Sequence, residues 1–223
     1  MTTLGAIFDL DGTLVDSCEC HELAWRATGE AVGIPVTREF FFRFFGRPNT
    51  PIIRALFEEA GRTAPDAQGT ASIADMKEAT FRELIAKCFP VMAGTHALLD
   101  ALHAQSWRLA IGSSAPKINV DFMLAGIAPA NPFAAIVTGE CVEHGKPDPA
   151  VFLEAARRLQ LPTSACIVIE DAAPGIAAAH RAGMKCVAIC STGHTPDELA
   201  TADLIVHHLD ELSPLRLQSL LSL

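Results

Sequence analysis

No stretch of this chain carries a run of lysines or arginines, and basic residues are outnumbered, 17 Lys and Arg against 26 Asp and Glu. A formal net charge of −9 with no gathered positive patch argues against nucleic acid or an anionic membrane surface as the main partner. It decides little about a small substrate, because an acidic protein still binds phosphate where the local site is positive. No apolar stretch approaches the length that spans a bilayer. The first apolar segment is short and broken by Asp9, so no signal peptide is expected. The seven cysteines are odd in number and scattered in mostly apolar settings, with no second Cys/His pair at ligand spacing. A reducing, cytoplasmic compartment is therefore expected. Cys166, Cys186 and Cys190 read as small buried hydrophobes, while Cys18-Glu19-Cys20 is open to a soft-metal or redox role. Internal repeats and low-complexity tracts are also missing. What remains is 223 residues, 50% hydrophobic and only 19% charged, enough for one large domain or a core with a smaller insertion.

The chain is organised around its opening stretch, Gly5-Ala-Ile-Phe-Asp-Leu-Asp-Gly-Thr-Leu-Val-Asp-Ser17. Leu4 to Phe8 is an apolar run suited to a buried strand, and it stops at a turn containing Gly12. Asp9 and Asp11 lie two apart where the strand ends, so both acids can face one site while Leu10 points away. Unpaired buried charge is costly, and a divalent cation is the partner expected there. The bland alternative is an acidic turn after an edge strand.

Residues 16 to about 90 show helical patterns and no convincing strand. Ile52, Ile53, Leu56, Phe57 and Ala60 repeat at helical spacing and end at Gly61, and Phe81, Leu84, Ile85, Cys88 and Phe89 do so up to Pro90. Phe40 to Phe45 holds five of the twelve phenylalanines and is expected inside a small helical bundle, with a ligand-cleft wall as the alternative. From about residue 91, strands and helices alternate. Helices are expected over 98–104, 117–125, 151–159, 176–182 and 212–223, and strands over 107–111, 134–137, 166–169, 185–189 and 204–206. Apolar strands separated by helices imply a parallel sheet covered on both faces. The expected fold is α/β, a doubly wound, Rossmann-like parallel-sheet core (1–15 plus 91–223) with an inserted α-helical cap (16–90).

Ligands of open α/β sheets collect beyond the carboxyl ends of the strands, and chemical residues recur at those ends. Ser113 and Ser114 follow the strand ending at Ile111 and precede a helix, where hydroxyl and backbone N–H groups suit phosphate oxygens; an ordinary N-cap is the alternative. Lys146 stands in His144-Gly-Lys-Pro-Asp-Pro149, a turn stiffened by two prolines. Glu170-Asp171 ends the most apolar strand and again calls for a cation.

In order, type and context these four signals resemble the motifs of the haloacid dehalogenase superfamily of phosphotransferases. Asp16-Ser17-x-x-x-His21, Trp25, Gly-Lys-Pro-Asp-Pro and Glu-Asp-Ala-x-x-Gly-Ile are similar to its β-phosphoglucomutase-like branch. The resemblance implies that Asp9 is a nucleophile forming an aspartyl-phosphate and that Asp11 is the acid–base. It implies Mg²⁺ held by Asp9, the backbone carbonyl of Asp11, Asp171 and Glu170. It places Gly12, Thr13, Ser113, Ser114 and Lys146 around the phosphoryl group, with His21, Arg47 and Lys77 as cap residues that closure brings toward the leaving group. Arg47 comes earlier after Gly46 than the mutase pattern has it, and a helix-surface His21 and a solvated Lys77 are the plain alternatives. The implied activity is Mg²⁺-dependent hydrolysis of a small phosphate monoester, a sugar phosphate first, with a phosphosugar mutase and a non-catalytic regulator as alternatives. The presence of Asp11 disfavours dehalogenase and phosphonate chemistry. A monomer is expected ahead of an oligomer.

Overall fold

The computed structural model describes residues 3–127, 130–191 and 193–221. Along the chain lie β1 (Gly5–Phe8), α1 (Cys18–Ala31), α2 (Arg38–Phe44), α3 (Asn49–Glu59) and α4 (Ala67–Cys88). Then come α5 (Thr95–Ala104), β2 (Arg108–Gly112), α6 (Lys117–Ile127), β3 (Phe133–Val137) and α7 (Ala150–Leu159). The chain closes with β4 (Cys166–Glu170), α8 (Ala173–Arg181), β5 (Lys185–Ile189), β6 (Leu204–Val206) and α9 (Pro214–Leu220). It divides into two compact units, Met1–Asp16 with Val91–Leu223, and Ser17–Pro90. Asp16 thus goes with the first unit.

The first unit is a six-stranded sheet in the order β3-β2-β1-β4-β5-β6, and each neighbouring pair is parallel. This is the doubly wound arrangement, with the strand order reversing between β1 and β4. Alternate residues of the central strands supply both faces. Ile7, Ala110, Val168 and Cys186 join Val151, Phe152 and Ala155 of α7 and Ile176 of α8 in one cluster. Phe8, Ile111, Ile169 and Val187 are equally buried. Each such large side chain contributes about 1.5–3 kcal/mol relative to exposure, which is why the strands read as unbroken apolar runs.

Register decides where the chemistry emerges. Phe8 is level with Ile111 of β2 and with Ile169 of β4, and Glu170 is level with Ala188 of β5. The residues that follow β1, β2, β4 and β5 therefore leave the sheet along one edge.

The helical unit has its own core, built from Trp25, Ile34, Val36, Phe40, Phe41, Ile52, Ile53, Leu56 and Phe57. Thr37 caps α2 by accepting from the Phe40 N–H at 3.1 Å, and Asp66 caps α4 by accepting from the Gly69 N–H at 2.8 Å. Phe89 ends α4 in the left-handed conformation, ahead of Pro90. The phenylalanine run is only partly interior. Phe40 and Phe41 are buried, whereas Phe42, Phe44 and Phe45 are half-buried, because successive helical positions cannot all face one core. The Phe81–Phe89 pattern is the last part of a 22-residue helix. The closing helix starts later than expected, at Pro214, where the Ser213 hydroxyl accepts from the Arg216 N–H at 3.2 Å. Ser222 and Leu223 lie outside the described residues. Among the described residues no helix is long and apolar enough to cross a membrane.

Candidate active site

The loop after β1 turns back on itself. The Asp9 N–H donates to the Ile169 carbonyl at 2.9 Å, extending the β1–β4 ladder by one residue. Gly12 donates its N–H to Val15 O at 2.7 Å, and Leu14 and Val15 donate to Leu10 O at 3.0 and 3.1 Å. Gly12 holds φ at 75°, a region that penalises a Cβ. A Cβ there would also lie 1.8 Å from Oδ2 of Asp171. The loop is therefore pressed directly against the end of β4. Asp11 is half-buried in this turn. Thr13 Oγ1 is buried with no hydrogen-bond partner among the described residues.

Lys146 joins the two strand ends. Its ammonium donates to Asp9 Oδ1 at 2.5 Å and to Glu170 Oε1 at 2.8 Å, and it stands 4.9 Å over the Phe152 ring. Glu170 Oε2 accepts from the backbone N–H groups of Asp171 and Ala172, both at 2.7 Å. Gly175 makes room for that carboxylate, since a Cβ there would meet Oε1 at 1.8 Å. Asp9, Glu170 and Asp171 are 6%, 2% and 5% exposed, and each offers an oxygen within 4.8 Å of the others. Burial raises the Asp9 carboxyl to about 7 against the pull of Lys146, and it raises Asp171 well above its usual range, with Glu170 and Asp9 adding to the rise. Burial opposes charge on Lys146 too, yet Asp9 and Glu170 outweigh it and hold the ammonium above its ordinary pKa. One cation thus serves three buried acids. That imbalance, with a donor set made wholly of oxygen, fits a hard divalent cation such as Mg²⁺. Among the described residues the group of acids close enough to share a metal ion is Asp9, Glu170 and Asp171, and it includes neither Cys18 nor Cys20.

Ser113 is buried after β2, where its N–H donates to Val137 O and its hydroxyl accepts from the Ala115 N–H, both at 3.0 Å. Ser114 is exposed beside it. In the helical unit His21 is half-buried, and Lys77 is not the solvated lysine that the plain alternative expected. Lys77 is only 3% exposed; it donates to Glu78 Oε1 at 2.9 Å and lies 2.8 Å from His21 Nδ1. The His21 ring stacks flat on Phe81, with centroids 3.9 Å apart and planes at 5°. Arg47 is exposed, its guanidinium 5.5 Å over the Phe44 ring.

Two residues near Asp171 carry no sequence signal. Ser191, just beyond β5, donates its hydroxyl to Asp171 Oδ2 at 3.0 Å. The half-buried His194 places Nε2 3.7 Å from that oxygen. Both stand in a polar loop without motif or periodicity. Only the position of that loop at the carboxyl end of a core strand could have drawn notice.

The lysine-bridged acidic cluster thus lies at the topological switch point of a doubly wound α/β core, where open α/β sheets bind their ligands. The profile of the haloacid dehalogenase-like hydrolases matches residues 6–189, and the chain is an enzyme of that family. It is 33% identical over 213 residues to β-phosphoglucomutase of Bacillus subtilis strain 168, covering 93% of this chain and 90% of that protein. It is 31% identical over 215 residues to hexitol phosphatase A of Escherichia coli K12, covering 96% and 94%. Among solved structures, CbbY from Rhodobacter sphaeroides in complex with phosphate superimposes with a TM-score of 0.85 at 25% identity, over 97% of this chain and 100% of that one.

Proposed function

We propose that the chain is a Mg²⁺-dependent phosphatase acting on a small phosphate monoester, a sugar phosphate foremost. The observation that carries this reading is Lys146 bridging Asp9 and Glu170 beside Asp171. Asp9 attacks phosphorus as the ester P–O bond breaks, giving an aspartyl-phosphate. Asp11 gives its proton to the departing alkoxide oxygen, then takes one from the water that attacks the same phosphorus and frees Asp9 and inorganic phosphate. Lys146 and the N–H groups after Asp9 and Ser113 hold the phosphoryl oxygens, and the orphaned Thr13 hydroxyl gains a partner there. Asp9, the Asp11 carbonyl and Asp171, with Glu170 beside them, would hold Mg²⁺, which when bound would supply charge neutralisation of the transferring group.

The 33% identity to a β-phosphoglucomutase and the partly buried His21–Lys77 contact favour a second reading, a phosphosugar mutase. In either reading we assign substrate selection to the helical unit, through His21, Arg47 and Lys77. A panel of sugar phosphates, nucleotides and phosphoglycolate, assayed for phosphate release with Mg²⁺ and with a chelator, tests the proposal. Glucose 6-phosphate formation from β-glucose 1-phosphate is followed separately. Phosphate release that ends with the chelator and returns with Mg²⁺ is expected. Undiminished release in excess chelator contradicts the metal, and isomerisation faster than release selects the mutase.

A further inference from the structure

We propose that Ser191 is a positioning residue for the cation site, orienting Asp171 as a ligand; this rests on the reading of Asp9, Glu170 and Asp171 as the metal-binding acids. Asp171 follows β4 at the sheet edge where its carboxylate has little room. Gly12 closes one side, leaving no space for a Cβ beside Oδ2. Ser191 occupies another side and donates its hydroxyl to that same oxygen at 3.0 Å. Ser191 is itself buried, at 7% exposure, so this hydroxyl does not exchange freely between the carboxylate and bulk water.

The serine is in turn fixed by its loop. Its N–H donates to Ile189 O at 2.9 Å, and its carbonyl accepts from the His194 N–H at 3.2 Å. Cys190 Sγ reaches the His194 carbonyl at 3.4 Å, and the His194 ring stands 3.7 Å from Asp171 Oδ2. Oδ2 is therefore crowded by a backbone, a hydroxyl and an imidazole that come from two loops. The consequence is a carboxylate held in one rotation, which would pre-orient it as a ligand for the cation. A ligand that is already oriented loses less freedom when the ion arrives, and partners behind metal ligands are typically worth ~10–100-fold in affinity.

The test is calorimetric titration of the full-length protein with Mg²⁺ alone, comparing wild type, Ser191→Ala and Ser191→Thr, with thermal unfolding in chelator as the check on folding. Ser191→Ala is expected to weaken Mg²⁺ binding by about tenfold or more. Its unfolding midpoint in chelator should stay near that of wild type. Ser191→Thr, which keeps the hydroxyl, should restore most of the affinity. In turnover assays the alanine variant needs more Mg²⁺ for half-maximal rate, while KM for the phosphate ester at saturating Mg²⁺ stays put. Wild-type Mg²⁺ affinity in Ser191→Ala overturns the inference alone. Equal loss in the alanine and threonine variants also overturns it, since a packing role needs no hydroxyl. A wild-type protein that takes up no Mg²⁺ overturns the functional reading beneath it and this inference together.

Discussion

Lys146 contributes its ammonium to Asp9 at 2.5 Å although 137 residues separate the two in sequence. The contact is made by the sheet: β1 and β4 are neighbours and finish level, so a lysine from the turn before α7 reaches across both strand ends. Removing it leaves buried carboxylates without that cation, and losing one partner of a buried pair costs about 3–5 kcal/mol. Lys146→Met is therefore expected to lower the unfolding free energy in chelator by several kcal/mol and to reduce turnover of every phosphate ester alike, by roughly a hundredfold or more. Urea unfolding and a substrate panel check the two effects. A variant that changes the ranking of substrates instead would argue that Lys146 contacts the leaving group.

Gly12 and Gly33 separate backbone strain from site geometry. Both hold positive φ, 75° and 69°, so alanine at either costs about 1–2 kcal/mol. Only at Gly12 does the new Cβ meet Asp171; at Gly33 it would come no nearer than 3.9 Å to Arg62 Nη1. Gly33→Ala should lower Tm and keep kcat, whereas Gly12→Ala should lose most of its turnover and bind Mg²⁺ more weakly. Steady-state kinetics beside thermal unfolding tell the two apart.

Glu78 ties the helical unit together, accepting from Lys77 at 2.9 Å and from the Asn49 side-chain amide at 2.7 Å. Burial favours the protonated acid, but Lys77, His21 and Asn49 outweigh it and hold the carboxyl below its usual range. A depressed folded pKa stabilises the protein fully above the ordinary glutamate range, and that stability is lost as pH falls through the folded value. Glu78→Gln should thus cost stability near neutral pH and flatten the decline between about pH 5 and 3. Unfolding midpoints across that range measure it; parallel curves for wild type and variant would sink the assignment.

Arg47 is exposed and Lys77 buried, yet both are assigned to substrate selection. Arg47→Ala is expected to shift the ratio of kcat/KM between substrates by about tenfold while Mg²⁺ affinity stays unchanged, because the substitution removes a surface cation and little packing. If the ranking of the panel survives both Arg47→Ala and Lys77→Ala, selection belongs elsewhere in the chain.

Much of the sheet was legible because its strands are buried on both faces. Cys166 to Ile169 has no polar residue until Glu170, and a run like that ending in two acids announces both a strand and a strand end. Asp9 was legible for the same reason. The burial of Lys77 was not: its place among the cap residues came from the family resemblance, while Met76-Lys77-Glu78 by itself reads as solvated helix surface, and only the contacts of Lys77 with His21 and of Glu78 with Asn49 show that the charges are buried. The phenylalanine run misled in the other direction: hydrophobicity counts rings, but helical geometry decides which of them turn inward. Ser191 was invisible because a single hydroxyl in a polar loop has no period. Its partner, Asp171, lies 20 residues earlier, and nothing local connects them.

Asp9 is expected to become covalently phosphorylated during turnover. Acid quenching during turnover of a phosphate ester, followed by mass spectrometry of the peptide spanning Gly5 to Ser17, tests it most directly. Phosphate is expected on Asp9 in wild type, still on Asp9 but formed and released more slowly in Asp11→Asn where both proton transfers are impaired, and nowhere in Asp9→Asn, which also loses turnover. Near-normal phosphate release by Asp9→Asn, or a label carried by another residue, contradicts it.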